Sequence, residues 1–455
     1  MICPLDFRYG RKEMLSVFDE SAHLSYMLKV EAALASSQAR YGLIPKEAAK
    51  AIEKAVDAGL VKTERVREIE AEIGHDVMAM VKALSEVAGA GAGYVHYGAT
   101  SNDIIDTASA LQLKEAIRLI KGGLVELETV LARRALEEKD TVMLGRTHGQ
   151  AALPVTFGLK LATFLSEIDR HFERVLEAEK RIEVGKVSGA VGTAASLGKN
   201  YFDVQDDLSE RLDIGMELAS GQIVGRDRYA ELVTVLSNLA STLEKMATEV
   251  RNLQRTEIDE VEEHFNVEKQ VGSSTMAQKR NPVIAENICG LARIVRGFVG
   301  PAFENMILWH ERDLTNSSSE RILIPHVCVL VDDILWKSIS LFDRLEIKRE
   351  NMSRNLERVK GLIMSERVLL YLTPALGRQQ AHELVRQAAM SAVSQGIPFE
   401  DALLANKDIA AHMSREEVKK LLNPYDYTGQ ASRITEMVVT RVRNKRGIKQ
   451  LTVGP

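Results

Sequence analysis

Apolar residues repeat at helical spacing over long stretches of this chain. Leu113, Ile117, Ile120, Leu124, Leu127 and Leu131 advance by alternate steps of four and three. Val233, Leu236, Leu239, Leu243, Met246, Val250 and Leu253 do nearly the same. Such stripes are the seams of helix bundles. No proline lies between Pro154 and Pro282, so continuous helix is permitted there. Strand-like alternation is scarce and no strand–helix–strand rhythm is visible. The pattern therefore predicts an all-α protein of three helical domains with a long central helical bundle. An N-terminal helical domain is expected over 1–98, the bundle over 99–360 and a smaller C-terminal helical domain over 361–455. The seams read as too long to be buried within one thin chain, which predicts a bundle shared between subunits.

Loops rich in small residues separate the helices. "EVAGAGAGYVHYGATSND" (86–103) ends in Thr100, Ser101, Asn102 and Asp103, all able to cap a helix. "VGKVSGAVGTAASLGKN" (184–200) is a second such loop and "GSSTMAQKRNP" (272–282) a third.

Composition narrows the class. A chain of 455 residues is too long for a single core. Its 45% apolar and 27% charged residues are those of a soluble globular protein. A net charge of −5 argues against a general attraction to nucleic acid or anionic lipid, while leaving room for a local basic pocket. Cys3, Cys289 and Cys328 form neither a disulfide framework nor a metal-ligand spacing, which fits a reducing compartment. The N-terminus is charged from Asp6 onward and resembles no signal peptide, and no run of 18 apolar residues exists. A cytoplasmic protein without a membrane segment is expected.

Candidate chemistry gathers at the loops. His75 stands in "GHDV", His96 in "VHYGATS" and His148 in "GRTHGQ". One such histidine reads first as a satisfied imidazole. Three, all at element boundaries, favour chemistry, because loops held by rigid bundles carry it. No His-x-x-x-His or cysteine pair is present, so no metal site is expected. "TSND" reads as a helix N-cap, and a helix N-terminus can also hold a carboxylate or phosphate. "RYG" (8–10) alone reads as a turn, and "WHERDLTNSSSER" (309–321) as a solvated helix–loop junction. With Lys279 and Arg280 they supply Arg8, Arg312 and Arg321 as candidate anion clamps. In the third loop Gly272 permits unusual backbone angles, Ser273 and Ser274 offer hydroxyls, and Asn281-Pro282 marks a turn that starts the next helix. Neither a Gly-x-Ser-x-Gly elbow nor a phosphate-binding Gly-x-x-x-x-Gly-Lys is present.

"GSSTMAQKRNP" resembles the signature of the fumarase/aspartase superfamily, Gly-Ser-Ser-x-Met-Pro-x-Lys-x-Asn-Pro. "HYGATSNDIIDT", "GRTHGQAALPVTFG" and "WHERDLTNSSSER" extend the resemblance over most of the chain. "RYG", "GHDV", the Lys-Arg-Asn-Pro ending and Ser-Ser-Glu-Arg resemble the adenylosuccinate lyase family in particular. One departure is that Ala277 and Gln278 stand where the signature has proline and a variable residue.

The resemblance implies a fumarate-releasing lyase, without metal or organic cofactor, that acts on a small anionic nucleotide. It implies a homotetramer whose active sites are shared between subunits. By the family's pattern His148 is the acid and Ser273 the base. Arg8 and Tyr9 resemble contacts to the nucleotide's phosphate and base. His75 and Asp76 resemble phosphate and orienting residues, with His96 nearby. Thr100 and Ser101 resemble holders of the succinyl carboxylate, and Gln222 a substrate amide contact. Ser274, Lys279, Asn281 and Asn287 resemble the fumarate-side clamp, and Arg312, Ser317 and Arg321 further nucleotide contacts. Argininosuccinate lyase and carboxymuconate cycloisomerase are rival readings within the superfamily. A catalytically silent structural member is the rival from another class.

Overall fold

The computed structural model describes residues 3–266, 275, 276 and 278–447. Gly272, Ser273, Ser274 and Ala277 of the third loop lie outside the described residues. The architecture is all-α. The helices that matter here are α1 (Glu20–Arg40), α2 (Asp76–Val87), α3 (Ser101–Glu137), α4 (Phe157–Ile182), α5 (Asp227–Leu253), α6 (Val283–Gly297), α7 (Thr315–Asp343) and α8 (Arg349–Arg358). Contacts within the chain group it into two compact units. One comprises Met1–Leu124, Arg170–Glu244 and Ile288–Trp336, the other Val125–Asp169, Lys245–Asn287 and Lys337–Pro455.

The two predicted seams fall on α3 and α5. Leu113 through Leu131 are at most 1% exposed and Val233 through Leu253 at most 3% within the single chain. Burying each such side chain contributes roughly 1.5–3 kcal/mol. The seams are thus already covered, and the inference that they need a second subunit is corrected. The error lay in counting helix length without counting the helices one chain supplies. The exposed large apolar residues lie elsewhere and include Ile307 (72% exposed), Trp309 (76%) and Leu314 (69%).

In the first unit, Leu24, Leu28 and Leu34 of α1 share a core with Ile52, with Met80 and Leu84 of α2 and with Ile104 and Leu111 of α3. His75, expected at an element boundary, is the N-cap of α2, and His75 Nδ1 accepts the Met78 N–H at 3.3 Å. α3 begins at Ser101, and the Asp103 carboxylate accepts the Thr100 N–H at 2.9 Å. Such a side chain satisfies a backbone donor that the helix leaves orphaned.

The second unit holds an element that the sequence pattern did not reveal. β1 (Val142–Thr147) and β2 (Gln150–Thr156) form an antiparallel hairpin. Leu144 pairs with Pro154 and Arg146 with Ala151, so Gly145 faces one extra residue on β2. A side chain at Gly145 would meet the Leu153 carbonyl at 2.3 Å, so this bulge requires glycine. The bulge and Pro154 together erase the two-residue period by which a strand is recognised. β3 (Val261–Glu262) and β4 (Glu346–Ile347) add a short antiparallel pair. Among the described residues no helix is long and apolar enough to cross a membrane.

Candidate active site

The first unit contains a cavity of about 450 Å³ between the starts of α3 and α7. Asp76, Asn102, Arg226, Arg312, Ser317 and Arg321 are in its wall. Arg312 is the centre of interest. Its guanidinium donates to Asn102 Oδ1 at 2.6 Å and to Gln222 Oε1 at 3.0 Å, both neutral amide oxygens. Its Nε is buried and has no partner among the described residues. Burial, the largest influence, holds its pKa below the ordinary arginine value despite Asp106 and Glu320 nearby. A half-buried cation that meets only amide oxygens is arranged to receive an anion.

Gln222 reaches Arg312 because two loops touch. The Gln222 N–H donates to the Glu311 carbonyl at 3.1 Å. A side chain at Gly221 would meet that same carbonyl at 2.6 Å, so only glycine permits the approach.

Beneath Arg312 lies a buried ionic cluster. Arg226 donates to both oxygens of Asp106 at 2.9 and 3.0 Å and to Glu320 at 3.0 and 3.2 Å. Its guanidinium lies 4.9 Å from the centre of the Tyr229 ring. Asp106 also accepts the Val224 N–H at 2.9 Å. Burial raises the Glu320 pKa, and Arg226 pulls against it. Burial would lower the Arg226 pKa, but Asp106 and its neighbours drive it upward. The cluster ties α3, the loop before α5, and α7 together, which fixes the cavity's floor.

The start of α3 is held from a third direction. Lys186, from the 184–200 loop, is fully buried and paired with Asp103. Asp103 also accepts the Gly189 N–H at 3.2 Å. This pair anchors the loop against the helix end that carries Thr100 and Ser101. His96 has a left-handed φ of 62° and bonds Glu31 through Nδ1 at 2.6 Å. Burial works against its charged form, yet the Glu31 hydrogen bond and charge prevail and raise its pKa.

Asp76 accepts from Arg321 at 2.5 Å. Arg8 is exposed and Tyr9 partly so, and neither lines this cavity. Their segment is fixed by the next residues. Gly10 N–H donates to Asp333 at 3.2 Å, and Arg11 donates to Asp332 at 3.0 Å while lying 4.2 Å from the centre of the Trp336 ring. Burial pushes the Asp332 carboxyl up to about 6 against the pull of Arg11.

The other predicted residues belong to the second unit. His148 is exposed at the tip of the β1–β2 hairpin, with φ 55° followed by Gly149 at 73°. Two left-handed residues in a row are what a tight hairpin turn of this twist needs. A histidine in place of the usual Asn or Gly carries strain that the scaffold must hold. Lys279 is exposed, and its ammonium has no side-chain partner among the described residues. Its neighbour Arg280 turns back to Glu262 at 2.9 Å and lies 5.2 Å from the centre of the Phe265 ring. The basic pair is thus divided: Arg280 fastens the base of the loop, which leaves Lys279 as the candidate anion clamp. Asn281-Pro282 precedes α6 as expected, and Glu263 accepts the Ile284 and Ala285 N–H groups at 3.0 and 2.6 Å. Asn287 accepts from Lys337 at 2.6 Å.

Asp76, Arg312, Ser317 and Arg321 therefore meet in one cavity, with Gln222, Thr100 and Ser101 beside it. His148, Lys279, Asn281 and Asn287 are in the other unit. Sequence reasoning named Asn102 and Asp103 only as helix caps, and missed Asp106, Lys186, Arg226 and Glu320. Charged residues inside the helical stripes at 106 and 320 were the available signal.

Residues 7–297 match the family described as Lyase, and residues 361–438 the one described as Adenylosuccinate lyase C-terminus. The chain is 48% identical to the adenylosuccinate lyase of Methanocaldococcus jannaschii over 97% of this chain and 96% of that one. It is 49% identical to that of Pyrococcus abyssi over 98% and 99%. Similar solved structures include a fumarate lyase from Mesorhizobium sp. BNC1, with a TM-score of 0.88 and 33% identity over 95% of this chain and 98% of that one. A 3-carboxy-cis,cis-muconate lactonizing enzyme from Pseudomonas putida gives a TM-score of 0.88 and 35% identity over 97% and 99%.

Proposed function

The chain belongs to the adenylosuccinate lyase family of the fumarase/aspartase superfamily, and on that premise we propose which of its residues carry the family's reaction. The reaction is a fumarate-releasing β-elimination that breaks a C–N bond. It converts adenylosuccinate to AMP, and succinylated imidazole carboxamide ribotide (SAICAR) to its carboxamide product, AICAR.

A proton must leave a carbon next to a carboxylate, and the carbanion spreads into that carboxylate as a doubly negative aci form. Positive charge and N–H donors must stand where this charge develops. In our reading Ser273 removes the proton and His148 protonates the leaving nitrogen. Lys279, with Ser274, Asn281 and Asn287, clamps the fumarate side. Thr100 and Ser101 hold the other carboxylate at the α3 N-terminus. Arg8, Tyr9, His75, Asp76, His96, Gln222, Arg312, Ser317 and Arg321 hold the nucleotide. The observation that carries this reading is Arg312, a half-buried cation in a cavity, met by two amide oxygens and, among the described residues, hydrogen-bonded to no carboxylate. Arg312→Met should raise KM for adenylosuccinate by roughly 10–100-fold, the worth of a charged hydrogen bond. An unchanged KM would remove Arg312 from substrate binding.

The rival muconate-type reading predicts no dependence on the substrate's phosphate, whereas this one predicts that removing the phosphate raises KM.

We further infer a homotetramer with shared sites in the cytoplasm, the compartment that three free cysteines fit. The exposed Ile307, Trp309 and Leu314 flank Arg312 in sequence and are the surface that a second copy would cover. Mixing His148→Ala and Ser273→Ala chains tests the sharing. If each site takes the two residues from different subunits, about a quarter of sites regain both after exchange. No recovery despite confirmed exchange would mean that one chain supplies both.

A further inference from the structure

His148 sits on a support that the family's reaction does not by itself explain. A short two-stranded hairpin is marginal alone, and this one carries a left-handed histidine at its tip. Arg146 lies two residues before that tip. Its guanidinium meets both oxygens of Glu260, at 2.9 and 2.8 Å. The same guanidinium reaches back to the Leu144 carbonyl at 3.3 Å, so it spans the bulge at Gly145. Glu260 is fully buried and takes a third donor, the Asn355 amide of α8, at 2.9 Å. That amide also donates to the Ile258 carbonyl at 2.8 Å, which fixes it in turn.

We propose that Arg146 and Glu260 are positioning residues for His148: their buried pair pins the bulged register of the hairpin and thereby the direction of the imidazole. A bulge re-aims the residues beyond it, and the forked guanidinium braces the β1 side of this one, between the Leu144 carbonyl and Glu260. A buried carboxylate needs full pairing, and here that pairing is used on the strand that ends in His148. Lysine cannot replace this arginine, because one ammonium does not reproduce the planar fork. The inference rests on the reading of His148 as the acid.

The test is steady-state cleavage of adenylosuccinate by the full-length enzyme. Arg146→Lys and Glu260→Gln should lower kcat by about 10²-fold, the usual cost of a small misplacement at the reacting centre, and leave KM within about threefold. In a His148→Ala background the same changes should alter the residual rate by less than about twofold, because they act through the imidazole. Equal losses in both backgrounds, or a full kcat in folded Arg146→Lys, would overturn the proposal. If single variants fail to fold, the pair Arg146→Met with Glu260→Met leaves neither charge buried alone. That protein should show the same loss of kcat, and a normal kcat would overturn the proposal. A His148→Ala enzyme with undiminished turnover would overturn the acid assignment and this inference together. An inactive His148→Ala beside fully active Arg146 and Glu260 variants would overturn the inference alone.

Discussion

His148→Ala and Ser273→Ala should each lower turnover by roughly 10²–10⁴-fold, with KM for adenylosuccinate little changed. That range is the usual worth of a positioned proton donor or acceptor, about 3–5 kcal/mol of barrier. Both steps are difficult in water. The proton to be removed is weakly acidic, and an amine leaves poorly unless protonated. For the second task the proposed acid, His148, is exposed at the hairpin tip, in a left-handed backbone conformation. Ser273 has the harder task, since a hydroxyl must be ionised before it can act as a base. Backbone N–H groups following Gly272 and the charge of Lys279 are the means the sequence offers. Rapid-quench and steady-state rates measured on the two variants check this. Near-normal turnover of Ser273→Ala would take the serine out of the base role.

Arg226→Met should cost about 3–5 kcal/mol of stability, the largest loss expected from a single change in the first unit. The reason is not the loss of attraction alone. Removing the arginine leaves Asp106 and Glu320 buried, close together and unpaired. Burial already raises the Glu320 pKa, and only Arg226 and neighbouring hydrogen bonds oppose it. Without Arg226 the folded-state pKa of Glu320 rises further above its unfolded value. The sign follows from that. A raised folded pKa favours the folded state at low pH, and this benefit is lost as pH rises through it. The deficit of the variant relative to the parent protein should therefore be smallest below pH about 5 and grow toward neutrality. Denaturant unfolding at a series of pH values measures it. A deficit independent of pH would mean that the two carboxylates are not what the arginine compensates.

The fold and the site were legible to different degrees. Helical seams announce themselves locally, because every third or fourth residue must face the core. Both predicted seams are buried. Caps are local too: the Thr100–Asp103 run stands at the helix start its side chains imply, whereas His75, read only as a boundary residue, proves to be an N-cap. The β1–β2 hairpin was hidden because one bulge shifts the register in the middle of a short strand. Arg226 was hidden for a different reason. Its partners Asp106 and Glu320 are far away in sequence, and each looks like an ordinary solvated charge until tertiary structure closes around it. Lys186 is the extreme case, a lysine that composition would place in water and that the fold buries completely against Asp103. Arg280 shows the converse. Its motif reads as an anion clamp, whereas the side chain is held by Glu262.

The most direct measurement is the ultraviolet spectrum of adenylosuccinate during incubation with the purified chain, with fumarate and AMP quantified in the same sample. Cleavage changes the substituent on the purine's 6-amino nitrogen and therefore its absorbance. The expected result is a fall in the substrate spectrum with AMP and fumarate formed in equal amounts, no added metal or cofactor required, and loss of the activity in His148→Ala. An unchanged spectrum with properly folded protein, or fumarate released without AMP, would contradict it.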